Sequence, residues 1–301
     1  MDQTDHPKPV ILDTDIGDDI DDTWALGMLM GCRSLAPRLI VTTDGDTAAR
    51  GRLVAKMLQC TGSTEVPIGI GRITNDARPA QADWLEGWDP ANYEGKMHED
   101  GARAMIEAIE ASREPLTIIT IGPLTNLAEA LRRRPEITRN ARVVAMAGSL
   151  RTASGGEAEP AEHNVATDPQ ALREVLAAAW PVVLAPLDVC GDVTLEGDAF
   201  DRIRTSPRPW PRVIMENLDA WRSPRVHSIP LNRSTVLFDT VAVAAAVDLT
   251  WFEVERQPIN VTEQGRTVID GQHGKFCHCL TGWTNRSGFE QFLLQTLTET
   301  I

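Results

Sequence analysis

Long apolar runs are missing from this sequence, and none approaches the length of a membrane-spanning helix. Positive charge is also scarce. Lysine and arginine total 29 against 43 acidic residues, a net charge of −14, which argues against a nucleic-acid backbone as partner. The excess suits a protein that concentrates cations. Cysteine is sparse and odd in number, five residues mostly in apolar settings, as expected of free thiols in a reducing cytoplasm. Residues 1–9 read as a polar tail without the apolar core of a signal peptide. Cys277-His278-Cys279 is too tight for a zinc-binding Cys-x-x-Cys pair and reads as side chains alternating along a strand.

Aspartate, by contrast, is gathered in one place. The apolar residues 10–12 run straight into Asp13, Asp15, Asp18, Asp19, Asp21 and Asp22, six carboxylates within ten residues. Apolar residues resume at Trp24, Ala25, Leu26, Met28 and Leu29, a helical spacing. The pattern is strand, acidic turn, helix, with the acids at the carboxyl end of the strand. Ligands bind at that edge in open α/β sheets. Six like charges repel one another, and carboxylate oxygens are what hard divalent cations prefer, so the stretch is a candidate metal site. A solvated acidic turn is the plainer alternative, since Asp is favourable at a helix N-terminus. An EF-hand starting at Asp13 needs Gly and Glu where the chain has Asp18 and Trp24, which excludes it. A phosphatase with an Asp nucleophile would use Asp13 and Asp15, but wants Thr or Val where Gly17 stands.

Residues 38–44 (RLIVTTD) read as a second strand ending on an acid, followed by Gly45-Asp46 and a helix over 47–60. A short strand follows at 66–70. Repeated strand–helix units predict a parallel sheet with right-handed crossovers. Residues 71–99 lack periodicity and hold Trp84, Trp88, Tyr93 and His98. A loop that long in a compact domain is usually functional, and it is read as a lid. Residues 116–121 are apolar throughout, as in a central strand, and lead to Pro123, which suits the first turn of a helix. Further strands are expected at 142–146 and 181–187, with a turn at Gly155-Gly156 and a helix opened by Asp168-Pro169. Residues 192–225 read as helices and loops, and 236–247 as a buried helix. Residues 251–261 and 276–280 read as peripheral strands before a terminal helix. No internal repeat or linker appears. The expectation is one α/β domain over residues 1–301, an open, mostly parallel sheet flanked by helices.

Asp13-Thr14-Asp15-Ile16-Gly17, followed by Asp21-Asp22, resembles the N-terminal signature of the inosine–uridine-preferring nucleoside hydrolases. These are calcium-dependent N-ribohydrolases with a Rossmann-like fold. Their pattern is Asp-x-Asp-x-Gly-x-Asp-Asp, and this chain carries two extra residues after Gly17. Either Asp19 or Asp21 can therefore head the final pair; Asp21-Asp22 is favoured because the helix follows directly. Gly122-Pro123-Leu124-Thr125-Asn126 is similar to the second signature, which is preceded by a calcium-binding carbonyl, here that of Ile121. Ala161-Glu162-His163-Asn164, with Asp168-Pro169 behind it, resembles the segment whose Glu and Asn hold ribose hydroxyls. Asp239 matches a late calcium-binding Asp before an Ala-Val-rich helix. The four motifs keep the family's order over residues 10–249.

The resemblance implies that Asp15, Asp22, Asp239 and the Ile121 carbonyl hold Ca2+, with Asp15 also the general base. It implies that Asp21 binds a ribose hydroxyl while Glu162 and Asn164 hold the far side of the sugar. It further implies a cytoplasmic homodimer or homotetramer acting on nucleosides in catabolism and purine salvage. Asp46 is divided evenly between a sugar contact and an ordinary helix cap. The family's leaving-group His is replaced by Phe238, which cannot donate a proton, and a frequent Asn by Gly156. An aromatic sandwich from Trp84, Trp88 or Trp221 is one substitute, and His98 and His227 are possible acids. A weakly catalytic nucleoside- or ribose-binding protein is therefore the main alternative, and a divalent-metal phosphatase the second.

Overall fold

The computed structural model of the protein describes residues 6–150, 161–222 and 232–299. The apolar run at 10–12 lies within β1 (Lys8–Thr14), which is buried from Pro9 onward. Such a strand needs helices on both faces. Its neighbours follow from β2 (Leu35–Thr42), β3 (Ile68–Ile70), β4 (Met97–His98), β5 (Leu116–Thr120), β6 (Ala141–Met146) and β7 (Val182–Ala185). With β8 (Phe252–Val261), β9 (Thr267–Ile269) and β10 (Lys275–Trp283) they form one ten-stranded sheet, in the order β4-β3-β2-β1-β5-β6-β7-β10-β8-β9. All pairings are parallel except β10 with β8 and β8 with β9. The expected open, mostly parallel α/β sheet is what the chain builds.

Alternation along β1 sends Val10 and Leu12 to one face and Ile11 to the other, and each face has its own core. The first face is covered by α1 (Asp21–Gly31), α2 (Thr47–Thr61), α9 (Pro209–Arg222), α10 (Phe238–Val247) and α11 (Arg286–Thr298). The second is covered by α3 (Gly101–Ala111), α4 (Thr125–Arg133) and α6 (Pro169–Ala177). Between them in the chain come α5 (His163–Thr167), α7 (Leu187–Cys190) and α8 (Gly197–Arg204). Helix α10 is apolar nearly all round, so it is buried against α1 and β6 rather than lying on the surface.

From β1 the chain winds outward through β2, β3 and β4, then returns to the other side of β1 for β5, β6 and β7. Loops leaving β1 and β5 thus part in opposite directions and open a crevice at their carboxyl ends. The acidic turn occupies that crevice.

Several elements were not expected from the sequence. Helix α3 buries Ala102, Met105 and Ile109, an i, i+3, i+7 stripe that is clear in the sequence and was overlooked. A short helix, α5, precedes the one opened by Pro169, and α4 begins at Thr125 rather than at Pro123. The segment 71–99 is less irregular than its sequence suggests. It carries 3₁₀ turns at Ala82–Leu85 and Pro90–Asn92 and ends in β4. Cys277 and Cys279 share one face of β10, their sulfurs 3.7 Å apart. The Gly155-Gly156 turn falls outside the described residues.

Gly122, just after β5, is packed so closely that a Cβ would lie 2.8 Å from the Asp15 backbone nitrogen and 2.7 Å from Thr43 Cγ2. Gly122→Ala should therefore destabilise the fold by about 1–3 kcal/mol. Urea unfolding should show a lower midpoint with unchanged slope; an unaltered midpoint would show that the crevice relaxes freely.

Candidate active site

The two central strands and two helix N-termini bring the acids together. Asp21 and Asp22 lie in the first turn of α1, and Asp239 in the first turn of α10. One carboxylate oxygen from each falls within 4.8 Å of the other two, and all three residues are buried. Helix N-termini favour negative charge, which partly offsets this gathering. Thr14 at the end of β1 donates its hydroxyl to Asp22 Oδ1 and accepts the Ile16 amide at 3.1 Å, so the strand end fixes the carboxylate. Asp15 follows, half-buried, and belongs to the same electrostatic group, since its charge raises the pKa of both Asp22 and Asp239. Asp15 also lies with Asp44 and His163 in a second cluster held to the same 4.8 Å limit.

The loop after β5 forms one wall. The Ile121 amide donates to Asp13 O at 2.8 Å, and its carbonyl accepts from Asn164 Nδ2 at 3.2 Å. Asn164 Nδ2 also reaches the Met146 carbonyl at 3.1 Å, tying β5 to β6. Glu162 caps α5 and accepts the backbone N–H groups of Gly148, Asn164 and Val165, at 3.0, 2.6 and 3.1 Å. Burial raises its pKa while those three donors oppose the rise.

The other sequence-derived residues divide. Asp13 points into the sheet, accepting Asn126 Nδ2 at 2.9 Å, and its Oδ2 finds no hydrogen-bond partner among the described residues. Asp46 caps α2 through the Ala49 amide at 2.9 Å. Asp18 pairs with Arg50 at 2.7 Å, its carboxylate largely exposed. Phe238 is the first residue of α10, half-buried beside Asp239. Trp84 is buried in the core with Lys56 Nζ 4.4 Å above its ring, and Trp88 Nε1 donates to Gln59 Oε1 at 2.7 Å. The partners of both rings are on α2. His227 lies outside the described residues. Sequence reading missed Asp44, Arg50 and His163 as members of this neighbourhood. Asp44 had a signal, the acid ending a second strand at the same sheet edge. His163 had one too, its place between Glu162 and Asn164.

An all-oxygen set of buried carboxylates, short of counter-charge, is the donor chemistry a hard divalent cation takes, so these residues fit a metal. A mostly parallel α/β sheet carrying such a cluster at its switch point fits a metal-assisted enzyme acting in the crevice between β1 and β5. The comparisons narrow the class. The sequence profile described as "Inosine-uridine preferring nucleoside hydrolase" matches residues 10–290. The enzyme of that name from Crithidia fasciculata is 28% identical over 304 residues, 95% of each chain. The pyrimidine-specific ribonucleoside hydrolase RihA of an Enterobacter species is 29% identical over 285 residues, 87% of this chain and 88% of its own. A solved plant nucleoside hydrolase superposes with a TM-score of 0.82 at 18% identity, covering 97% of this chain and 99% of that one. The purine-preferring ribonucleoside hydrolase from Gardnerella vaginalis gives 0.77 at 22% identity, covering 97% and 98%. The chain belongs to the inosine-uridine preferring nucleoside hydrolase family, metal-dependent enzymes that hydrolyse the N-glycosidic bond of ribonucleosides.

Burial pushes Asp13, Asp15 and Asp21 up to about 7, and burial plus mutual repulsion push Asp22 and Asp239 well above the usual carboxylate range. An acid whose folded pKa exceeds its unfolded value keeps a proton in the native state that the unfolded chain has lost. In chelator, stability should therefore be highest in mild acid and fall as pH rises from about 4 through 7. A divalent cation should restore more at pH 8 than at pH 5, because carboxylate ligands must be deprotonated to bind it. Thermal melts across pH, with and without chelator, test this; a melting temperature in chelator that does not fall from pH 5 to 8 would remove the electrostatic account.

Proposed function

We propose that this enzyme cleaves ribonucleosides to free base and ribose using a calcium ion held by Asp15, Asp22, Asp239 and the Ile121 carbonyl. The observation that carries the reading is the meeting of Asp21, Asp22 and Asp239 at the switch point, electrostatically joined to Asp15. When bound, calcium supplies oxygen coordination for the sugar's vicinal hydroxyls and lowers the pKa of a water.

The side chains do the rest. Asp15 accepts the proton of the attacking water. Asp21 binds a ribose hydroxyl, and Glu162 and Asn164 hold the far side of the sugar. Both are preset for this, Glu162 by three backbone donors and Asn164 by two carbonyls. Cleavage passes through an oxocarbenium-like sugar, and fixed carboxylates favour that growing positive charge over the neutral ground state.

The leaving base is the departure. Phe238 stands beside Asp239 where the family's usual acid would be, and it has no proton to give. A positioned acid typically contributes about 10²- to 10⁴-fold, so bases that accept a proton readily should be favoured. Purine nucleosides, protonated at N7, fit this better than uridine. The names of the relatives span pyrimidine-specific, inosine-uridine preferring and purine-preferring enzymes, so base choice is a property of each pocket.

A ribose-release assay over purine and pyrimidine nucleosides, with and without chelator, tests the reading. Chelator should abolish release, and inosine should exceed uridine in kcat/KM. Faster uridine turnover overturns the purine preference, and sugar binding without release would favour a binding protein. Asp15→Ala and Asp239→Ala should each lose about 10²-fold or more in turnover and weaken calcium binding. Asp21→Asn should cost more than Asp19→Asn; the reverse order would place the two extra residues differently.

A further inference from the structure

The acidic turn is two residues longer than the family's pattern, and it has no ladder of its own to satisfy its backbone. Even so, every carbonyl from Asp15 to Ile20 has a donor. The Asp15 and Ile16 carbonyls accept from Arg50 Nη1, the latter at 3.0 Å. Gly17 O accepts the Gln81 amide at 2.8 Å, and Asp18 O accepts Trp221 Nε1 at 2.6 Å. Asp19 O takes the Gln81 side-chain amide, whose oxygen in turn accepts the Thr23 hydroxyl at 3.1 Å. Ile20 O accepts the Thr23 amide at 3.1 Å.

Arg50 is the centre of this arrangement. It projects from α2, is 3% exposed, and uses its remaining donors on the Asp44 carbonyl at 2.8 Å and the Asp18 carboxylate at 2.7 Å. One guanidinium thus joins the loops after β1 and β2 and holds the backbone of Asp15. Its planar fork suits several fixed acceptors, which a lysine ammonium would not match.

We infer that Arg50 is a positioning residue for the metal loop, setting cation affinity by fixing the lengthened turn in its ligating shape. The inference rests on the reading of Asp15, Asp22 and Asp239 as the calcium site. Two effects of Arg50 oppose each other there. As a cation it repels calcium, so by charge alone its removal would tighten binding. As a clamp it presets the ligands, so its removal frees the turn and weakens binding. Four carbonyl and carboxylate partners on a buried side chain make the clamp dominant.

The test is calcium titration calorimetry on the wild type, Arg50→Met, Arg50→Lys and Gln81→Ala, with melting temperatures in chelator measured alongside. Arg50→Met should bind calcium at least tenfold more weakly, Arg50→Lys should recover part of the loss, and Gln81→Ala should weaken binding less than Arg50→Met. A side chain that only supports the fold would lower the melting temperature and leave the dissociation constant of the folded protein unchanged. Unchanged or tighter calcium binding by folded Arg50→Met overturns the inference. Should that variant not fold, Gln81→Ala decides, and unaltered affinity there overturns it as well. Failure of the wild type to bind calcium would instead remove the metal site itself.

Discussion

Repulsion among buried carboxylates is the constraint on which the rest of this structure depends. Asp21, Asp22 and Asp239 would each be costly to ionise alone, and their proximity raises the cost further. The fold assembles compensations from different parts of the chain. Two helices direct their N-termini at the cluster, Thr14 donates to Asp22, and Arg50 stands close enough to lower the pKa of Asp15. These measures do not neutralise the group. A divalent cation does, and the remaining imbalance is what makes the site cation-seeking.

That tension explains the packing behind the site. Helix α10 carries the buried Asp239 in its first turn, and its body from Val241 to Ala246 is wholly apolar and buried against α1. Each fully buried Val or Leu contributes about 1.5–3 kcal/mol, and the two cores flanking β1 supply many such side chains. The sheet can therefore hold its strand ends rigid while they carry charges that would scatter a looser loop. Close packing at Gly122 against Asp15 and Thr43 belongs to the same rigidity.

Much of the architecture was legible because its signals were local. Apolar runs gave β1, β2, β5 and β6, and the order of acidic strand ends pointed to one edge of the sheet. The gathering of Asp22 with Asp239 was not local, being separated by more than two hundred residues, and only the family resemblance anticipated it. What escaped were features set by tertiary contact. Arg50 lies in the helix expected over 47–60, and nothing in its neighbours reveals that four acceptors from two other loops converge on it. Trp84 and Trp88 looked available for a substrate because the sequence could not show Lys56 and Gln59 engaging them.

Those same contacts bear on how the crevice opens. A lid spanning all of 71–99 and moving as one body would have to break the Gln81 bonds to Gly17, Asp19 and Thr23. It would also separate Trp88 from Gln59 and lift Trp84 out of the core. Opening would thus disturb the turn that carries Asp15, and the acidic turn and the covering segment cannot move independently. Residues 72–78 are different: they form an unbroken exposed run ahead of the buried Pro79. Its attachment runs instead to the loop after β2, where Thr74 Oγ1 donates to Asp44 Oδ1 at 2.9 Å and accepts the Gly45 amide at 2.7 Å, so a shift of this run would not break the Gln81 bonds that hold the acidic turn.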